Sequence, residues 1–325
     1  MADFQDIIVS SRIRLARNFN DVVFPNRIKS KTDADKVISR CFDVFDKFEN
    51  YKVCDLDKNI LLSMQEKHLI SDMLCKNREY GALSLSHDET ISIMINEEEH
   101  IREQCILKGF KLDEALCKLN EVDDEILEKL PIAYSHELGF LTTCPSNLGT
   151  GMRASVMLFL PALSLTNSIE NLVQTLSKVG LTVRGNYGEG TNASGFMFQV
   201  SNSQTLGLNE QQIISNVQTA VLKVCEKERE AQKNLLGTIF DELKDKTMRA
   251  YGTLKFAYKL SSEEAVSLLS YLRFGVSLNI INFLSIDKID ELLNSVLPNT
   301  LCTIKEDDSI KDLDIFRAKY IREKI

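Results

Sequence analysis

The stretch TTCPSNLGTGMRASVMLFLP, residues 142–161, joins a polar, glycine-bearing loop to the longest apolar run in the chain. The loop, CPSNLGTGMR, ends on Arg153. The apolar run covers about Val156 to Leu165 and is broken by Pro161, so it falls short of the roughly 18 residues a membrane-spanning helix needs. Residues 139–207 around it hold nine of the 14 glycines, which marks a region of unusual turns or of close backbone approach to a ligand. Val183 and the run Phe196 to Val200 read as strands flanking a second glycine-rich loop, RGNYGEG, residues 184–190.

Outward from this centre the chain changes character twice. Towards the N-terminus, Asp6 to Leu15 carries β-branched residues and predicts a strand running into a polar, arginine-dense loop. Ser30 to Phe48 predicts a helix capped by Thr32, with Val37, Cys41, Phe42, Phe45 and Phe48 near one face. A second helix is expected over Lys58 to Cys75. Ile91, Ile93 and Ile95 alternate with Ser92 and Met94, the pattern of a half-buried strand. Leu112, Leu116, Leu119 and Val122 predict a helix before Pro131. After Asn209, Ile213, Val217, Val221 and Val224 recur at helical spacing, and that helix is expected to reach about Lys244. Short helices over Ser262–Leu272, Asp287–Val296 and Ile310–Ile325 follow. A boundary near 240 is expected, between a mixed α/β region of catalytic type (1–240) and a small helical domain (241–325).

Composition narrows the function classes. Asp plus Glu outnumber Lys plus Arg by 47 to 39 over 325 residues, a net charge of −8. Such a chain is not a general polyanion binder, so direct nucleic-acid or membrane-surface roles would need a local basic patch. Eight cysteines without a CxxC pair argue against a structural zinc site and a disulfide framework. The beginning, MADFQDIIVSSRIRLARN, lacks the apolar core of a signal peptide, so a soluble, cytoplasmic protein is expected. There is no GxxxxGK[ST], HRD, DFG, HExxH or GxSxG, and GNYGEG has the wrong spacing for a dinucleotide fingerprint.

Five arginines stand beside glycines, serines and strand ends. Arg12 and Arg14, two apart in SSRIR, would point to one face of an extended strand. Arg102 follows Glu97, Glu98 and Glu99; Arg153 ends one loop and Arg184 opens the other. Any one of them reads as a solvated or ion-paired side chain. Five in turn-rich contexts within an acidic chain point to a small polyanionic ligand, since the planar guanidinium binds phosphate oxygens two at a time and stays charged. Glu97 to Glu99 read first as a solvated turn after a strand. Near arginines, such carboxylates can instead act as a base or hold a cation.

Four segments, SSRIRLARN, NEEEHIR, TTCPSNLGTGMRAS and VRGNYGEG, occur in this order and resemble the guanidino (phosphagen) kinase family over about residues 5–235. The resemblance implies an α+β fold, an antiparallel sheet flanked by helices, followed here by a small C-terminal helical domain. Because SSRIR lies so near the start, the separate N-terminal helical domain of the metabolite kinases is expected to be missing. The helical extension and the ending FRAKYIREKI resemble the bacterial protein-arginine kinase branch. Its substrates are arginine side chains of proteins, such as a stress-response repressor or a target destined for a Clp protease; an activator protein and homodimerisation are further implications.

Carried over residue by residue, the family's ATP contacts fall on Ser10, Ser11, Arg12, Ile13 and Arg14, on His68 and Arg102, on Arg153, Ala154, Ser155, Val156 and Met157, and on Arg184, Gly185, Asn186, Tyr187, Gly188 and Glu189. The carboxylates that grip and deprotonate the guanidinium match Glu98 and Glu189. The reactive cysteine matches Cys144, which as a thiolate would add negative charge there. Without the resemblance Cys144 reads as a buried thiol and His68 as a helix-surface histidine; His100 reads as structural. Mg²⁺ is implied with ATP, held by phosphate oxygens and water rather than by a dedicated acidic cage.

One motif departs from the branch. Its RDxxRA segment, which binds phosphoarginine and regulates activity, corresponds to Leu313-Asp314-Ile315-Phe316-Arg317-Ala318. Leucine cannot pair with a phosphate, so phosphoarginine sensing is not expected, and Asp314 with Arg317 reduces to an i, i+3 pair. Two other readings stay open at this point: a kinase for a free guanidino metabolite, and a non-catalytic nucleotide-binding adaptor of a repressor.

Overall fold

A computed structural model of the chain describes residues 4–28, 30–185, 194–305 and 311–325. Among these residues, β1 (Ile8–Arg17), β2 (Glu49–Lys52), β3 (Ala82–Leu85), β4 (Ile91–Ile95) and β5 (Ile101–Lys108) precede a small hairpin of β6 (Tyr134–Ser135) and β7 (Gly139–Phe140). Then come β8 (Arg153–Phe159), β9 (Leu181–Gly185) and β10 (Met197–Asn202). All but the hairpin form one antiparallel sheet in the order β2-β3-β4-β5-β1-β8-β10-β9. The predicted first strand therefore runs on through Arg17 and lies at the middle of the sheet.

Period-two alternation gives this sheet two unlike faces. Ile13 pairs with Cys105 and Ala154, and Val200 with Val156. These side chains, with Leu15, Leu107 and Leu158, are buried on one face against α4 (Leu112–Lys129), α6 (Ile169–Ser177) and α7 (Glu210–Thr238). The other face is polar and carries the arginines. β4 differs from the expected half-buried strand. Ile93 and Ile95 pack under α1 (Lys31–Val44), while Met94 packs under α2 (Lys58–Glu66) and α3 (Asp72–Lys76), so both of its faces are covered. Ser92 is satisfied there by donating to the Leu69 carbonyl at 2.7 Å.

Helix ends account for the other departures. The cap of α1 is Ser30, whose Oγ accepts from Asp33 N–H; Thr32 already lies inside the helix. The single helix expected over Lys58–Cys75 is two, because His68 takes a left-handed φ of 61° and Ser71 caps a new start. The long helix stops at Thr238, six residues before the expected end. Ile239 leaves helical geometry at φ −135°, and α8 (Phe240–Phe256) starts in a new direction. Next are α9 (Ser262–Ser277), α10 (Ile286–Ser295), α11 (Pro298–Ile304) and α12 (Leu313–Lys324), with α5 (Pro161–Leu165) placed earlier, after β8. Ile310, the expected beginning of the last helix, lies outside the described residues.

The C-terminal helices share a core of Leu254, Leu269, Leu272, Ile289, Leu292 and Ile321, and their docking on the sheet domain includes two places of different character. Phe274 joins Phe159, Leu235 and Leu243 in one cluster. At the other place the Glu66 carboxylate accepts the N–H groups of Asn299 (3.0 Å) and Thr300 (2.7 Å) at the start of α11. Among the described residues, no helix is long and apolar enough to cross a membrane.

Candidate active site

Register brings the arginines together. Arg14 on β1 sits directly opposite Arg153 on β8, and Arg12 opposite Ser155. Arg102 faces Ala16 across β5–β1, and Arg184 faces Gln199 across β9–β10. Paired residues in an antiparallel ladder point to the same side, so five arginines separated by up to 172 positions share one face. The crowding is costly without an anion. Burial and the charges of Arg102 and Arg153 pull Arg12 down to about 10, and burial with the charges of Arg12, Arg102 and Arg153 lowers Arg14 as well. Arg153 is lowered by burial and by Arg184. Among the described residues, the buried Nε atoms of Arg12, Arg14 and Arg153 have no hydrogen-bond partner. Donors and charge left open in this way fit a polyanion such as a nucleotide triphosphate.

The same register turns other carried-over positions away. Ile13, Ala154 and Val156 are fully buried on the apolar face, so only their backbones border the site. Ser11 is buried too; its Oγ donates to the Gly109 carbonyl (2.8 Å) and accepts from Lys111 N–H (2.9 Å), tying β1 to the turn after β5. Ser10, Ser155 and Met157 do line the arginine face. Gly185 ends β9. Asn186, Tyr187, Gly188 and Glu189 lie outside the described residues.

The glutamate run is not a solvated turn. Glu97 is buried and takes both of its carboxylate oxygens to Arg102 Nη1, at 2.8 and 2.7 Å, with Ser71 Oγ donating as well. Burial favours its neutral form, but Arg102 and these hydrogen bonds outweigh that and hold it below the usual carboxylate range. Glu98 is partly exposed, 3.4 Å from Arg102, and lines a small cleft with Arg14, Arg102, Arg153 and Asn147. Glu99 is fully buried and accepts four hydrogen bonds: Asn18 Nδ2 (2.6 Å), Thr143 N–H (2.7 Å), Asn147 Nδ2 (3.0 Å) and Cys144 N–H (3.1 Å). It thereby fixes the loop that carries Cys144, whose half-buried sulfur lies 3.1 Å from Ser146 Oγ.

Sequence reasoning grouped Glu97 and Glu99 with Glu98 but gave them no place in the site, and it missed Arg17. Arg17 is buried; it holds Asp123 of α4 through two bonds (2.8 and 2.7 Å), donates to the Thr150 carbonyl and stacks 3.6 Å over Phe140. It anchors the other end of the Cys144 loop. Glu97 and Glu99 left one faint signal: two acids spaced two apart in NEEEHIR, on either side of the one that stays accessible. His100 holds the adjoining turn, accepting from Phe19 N–H at Nδ1 (3.1 Å) with Nε2 2.9 Å from the Val23 carbonyl. Its imidazole is pushed down to about 4, chiefly by burial. His68, in its left-handed turn, borders the face beside Arg12, and burial and that charge push it down to about 4.

Residues 29–231, which carry Arg102, Arg153, Arg184 and the accessible carboxylate of Glu98, match the model of the ATP:guanido phosphotransferase C-terminal catalytic domain. The chain belongs to the ATP:guanido phosphotransferase family. Arg12 and Arg14, which precede the matched span, join this face through the pairing of β1 with β5 and β8. Residues 240–325 match the protein-arginine kinase McsB C-terminal domain, which places the chain in that branch of the family. A protein-arginine kinase of Clostridium acetobutylicum is 41% identical over 328 residues, 98% of this chain and 96% of that protein. One from Clostridium kluyveri is 43% identical, over 98% and 94%. The duplicated taurocyamine kinase of Schistosoma mansoni, solved with transition-state-analogue components, shares the fold at a TM-score of 0.65 and 24% identity, over 76% of this chain and 38% of that one. The antiparallel sheet flanked by helices, with helices added at the C-terminus, is thus the family's architecture.

Proposed function

We propose that the chain is an ATP-dependent protein-arginine kinase, transferring the γ-phosphoryl group of ATP to guanidinium groups of protein arginines. The observation that carries this reading is the cleft beside Glu98, where the buried Nε atoms of Arg14 and Arg153 have no hydrogen-bond partner among the described residues. A free guanidinium titrates above about 12, so at pH 7 fewer than roughly one in 10⁵ is neutral, and deprotonation costs on the order of 7 kcal/mol. One positioned carboxylate supplies about 10²–10⁴-fold, roughly 3–5 kcal/mol. Alignment and a second carboxylate must supply the rest. Glu98 is the base in this reading, with its orientation set by Arg102, which Glu97 holds in turn. Glu189 grips the other guanidinium nitrogen, and Cys144 lies against the guanidinium. The arginines stabilise phosphate charge in the loose transition state.

Among the described residues no three His, Cys, Asp or Glu side chains converge on a metal position. Mg²⁺ would ride on the phosphates, held by their oxygens and by water, and neutralise part of their charge. The division into a catalytic domain (1–240) and a helical domain (241–325) is supported by the break at Ile239. Homodimerisation through the helical domain, a cytoplasmic setting, an activator protein, and substrates that include a stress repressor or proteins bound for a Clp ATPase complete the proposal. The test is incubation with ATP, free arginine and a denatured protein, followed by analysis of acid-labile phosphate. Label on the protein alone is the expected result. Label on free arginine alone would make the chain a metabolite kinase, and no label would leave the adaptor reading.

A further inference from the structure

Beyond Arg12, away from Glu98, the arginine face continues into a cleft of about 450 Å³ whose two walls come from different parts of the chain. One wall is the sheet: Ser10, Ile106, Ser155, Met157 and Gln199. The other is helical: Val266 and Ser270 of α9, with Asp290, Leu293 and Asn294 of α10. The volume suits a small organic ligand. With phosphates on the arginines, the part of ATP that extends into this cleft is its ribose and base. Ile106, Met157, Val266 and Leu293 offer apolar surface to the faces of a flat ring, and Asn294 and Asp290 offer hydrogen-bonding groups to ring edges and ribose hydroxyls. Carboxylates on the helical wall belong at this uncharged end, since beside the phosphates they would repel.

The helical wall is locked in place. Arg273 of α9 is fully buried and donates to Asp290 Oδ1 (2.6 Å) and Oδ2 (3.2 Å) and to the Asp6 carbonyl (2.7 Å), just before β1. Its guanidinium also lies 4.3 Å over the Phe159 ring of β8. Gly195 (φ +72°) draws the start of β10 against α9, where an added Cβ would stand 2.9 Å from Ser270 Oγ. At the mouth, Lys108 of β5 pairs with Asp287 of α10 at 2.5 Å. The motif residues all lie before 190, yet the cleft has a side wall made from residues 266–294 of the same chain.

We propose that the C-terminal helices form part of the nucleotide site, with Leu293 and Asn294 contacting the base and ribose of ATP, so that recognition of the purine end is a property of the helical domain. The inference rests on reading the arginine face as the ATP phosphate site. Calorimetry on the full-length wild type and on Leu293→Ala and Asn294→Trp, with ATP and with inorganic tripolyphosphate as ligands, tests it. Leu293 is only half-buried and Asn294 is exposed, so both variants should fold, as melting curves would verify. The expected result is ATP binding weakened by about 5-fold or more in each variant, with tripolyphosphate binding unchanged. Unchanged ATP affinity in both variants overturns the inference, and so does an equal loss for both ligands. A wild type that binds neither ligand overturns the reading of the arginine face itself, a separate failure.

Discussion

The carboxylate of Glu99 accepts the backbone N–H of Cys144 at 3.1 Å across 45 positions of sequence, and with three further donors it is the anchor of the cysteine loop. Glu99→Gln would turn an amide NH₂ toward those donors. Leaving buried N–H groups unpaired costs about 1–3 kcal/mol, so the melting temperature should fall. Turnover should fall as well, with ATP binding little changed, because the arginines are held independently by the sheet ladder. Unaltered stability and turnover would show that the loop does not depend on this carboxylate.

Glu98→Gln isolates the base. The amide keeps the shape and the contact with Arg102 but cannot take a proton. Turnover should drop by roughly 10³-fold or more, with ATP affinity within a few-fold of wild type. If steady-state kinetics kept about a tenth of wild-type turnover, the base assignment would move to Glu189.

Arg184 is an exposed member of the cluster, so its removal should leave the fold intact. Arg184→Ala should weaken both nucleotide binding and turnover, because the phosphates are charged in the ground and transition states alike. Calorimetry and kinetics both matching wild type would remove Arg184 from the site.

Glu228 of α7 gives a pH signature of the fold. It is buried and accepts Ala162 and Leu163 N–H, each at 2.9 Å, at the start of α5. Burial, above all, raises it from 4.5 to about 7. The folded state therefore holds a proton that the unfolded chain releases, and stability falls as pH rises from about 4.5 to about 7, by on the order of 2–3 kcal/mol. Denaturant unfolding at several pH values should show this slope, and Glu228→Gln should flatten it. An unchanged slope in the variant would assign the effect elsewhere.

The last helix bears on regulation and assembly. Arg317 is buried, donating to the carbonyls of Val296 and Leu260 (2.8 Å each) and to Asp314 at 2.5 Å, while Leu313 stands where a phosphate-binding arginine would be needed. Added phosphoarginine should neither bind the tail tightly nor stimulate activity; submicromolar binding lost on Asp314→Ala would contradict this. Light scattering should give a homodimer, and a mass of 36.8 kDa at micromolar concentration would exclude one.

The sequence by itself determined the chemistry. Arg12 and Arg14 at a spacing of two, the glycine-bearing loops ending on Arg153 and opening on Arg184, and Glu98 before Arg102 are local patterns that mark the family and a candidate anion site. The strands Ile91–Ile95 and Phe196–Val200 and the helices before Pro131 and after Asn209 were legible for the same reason, since periodicity is a local property. Only the tertiary structure decided which face each residue joins. The ladder that sets Arg14 opposite Arg153 is fixed by packing of the apolar face, and sliding it by one residue would bury the arginines. Long-range contacts likewise turned Glu97 and Glu99 inward, ended the helix at His68 and laid α10 along the cleft. No period in the chain encodes those choices, because each depends on partners many residues away.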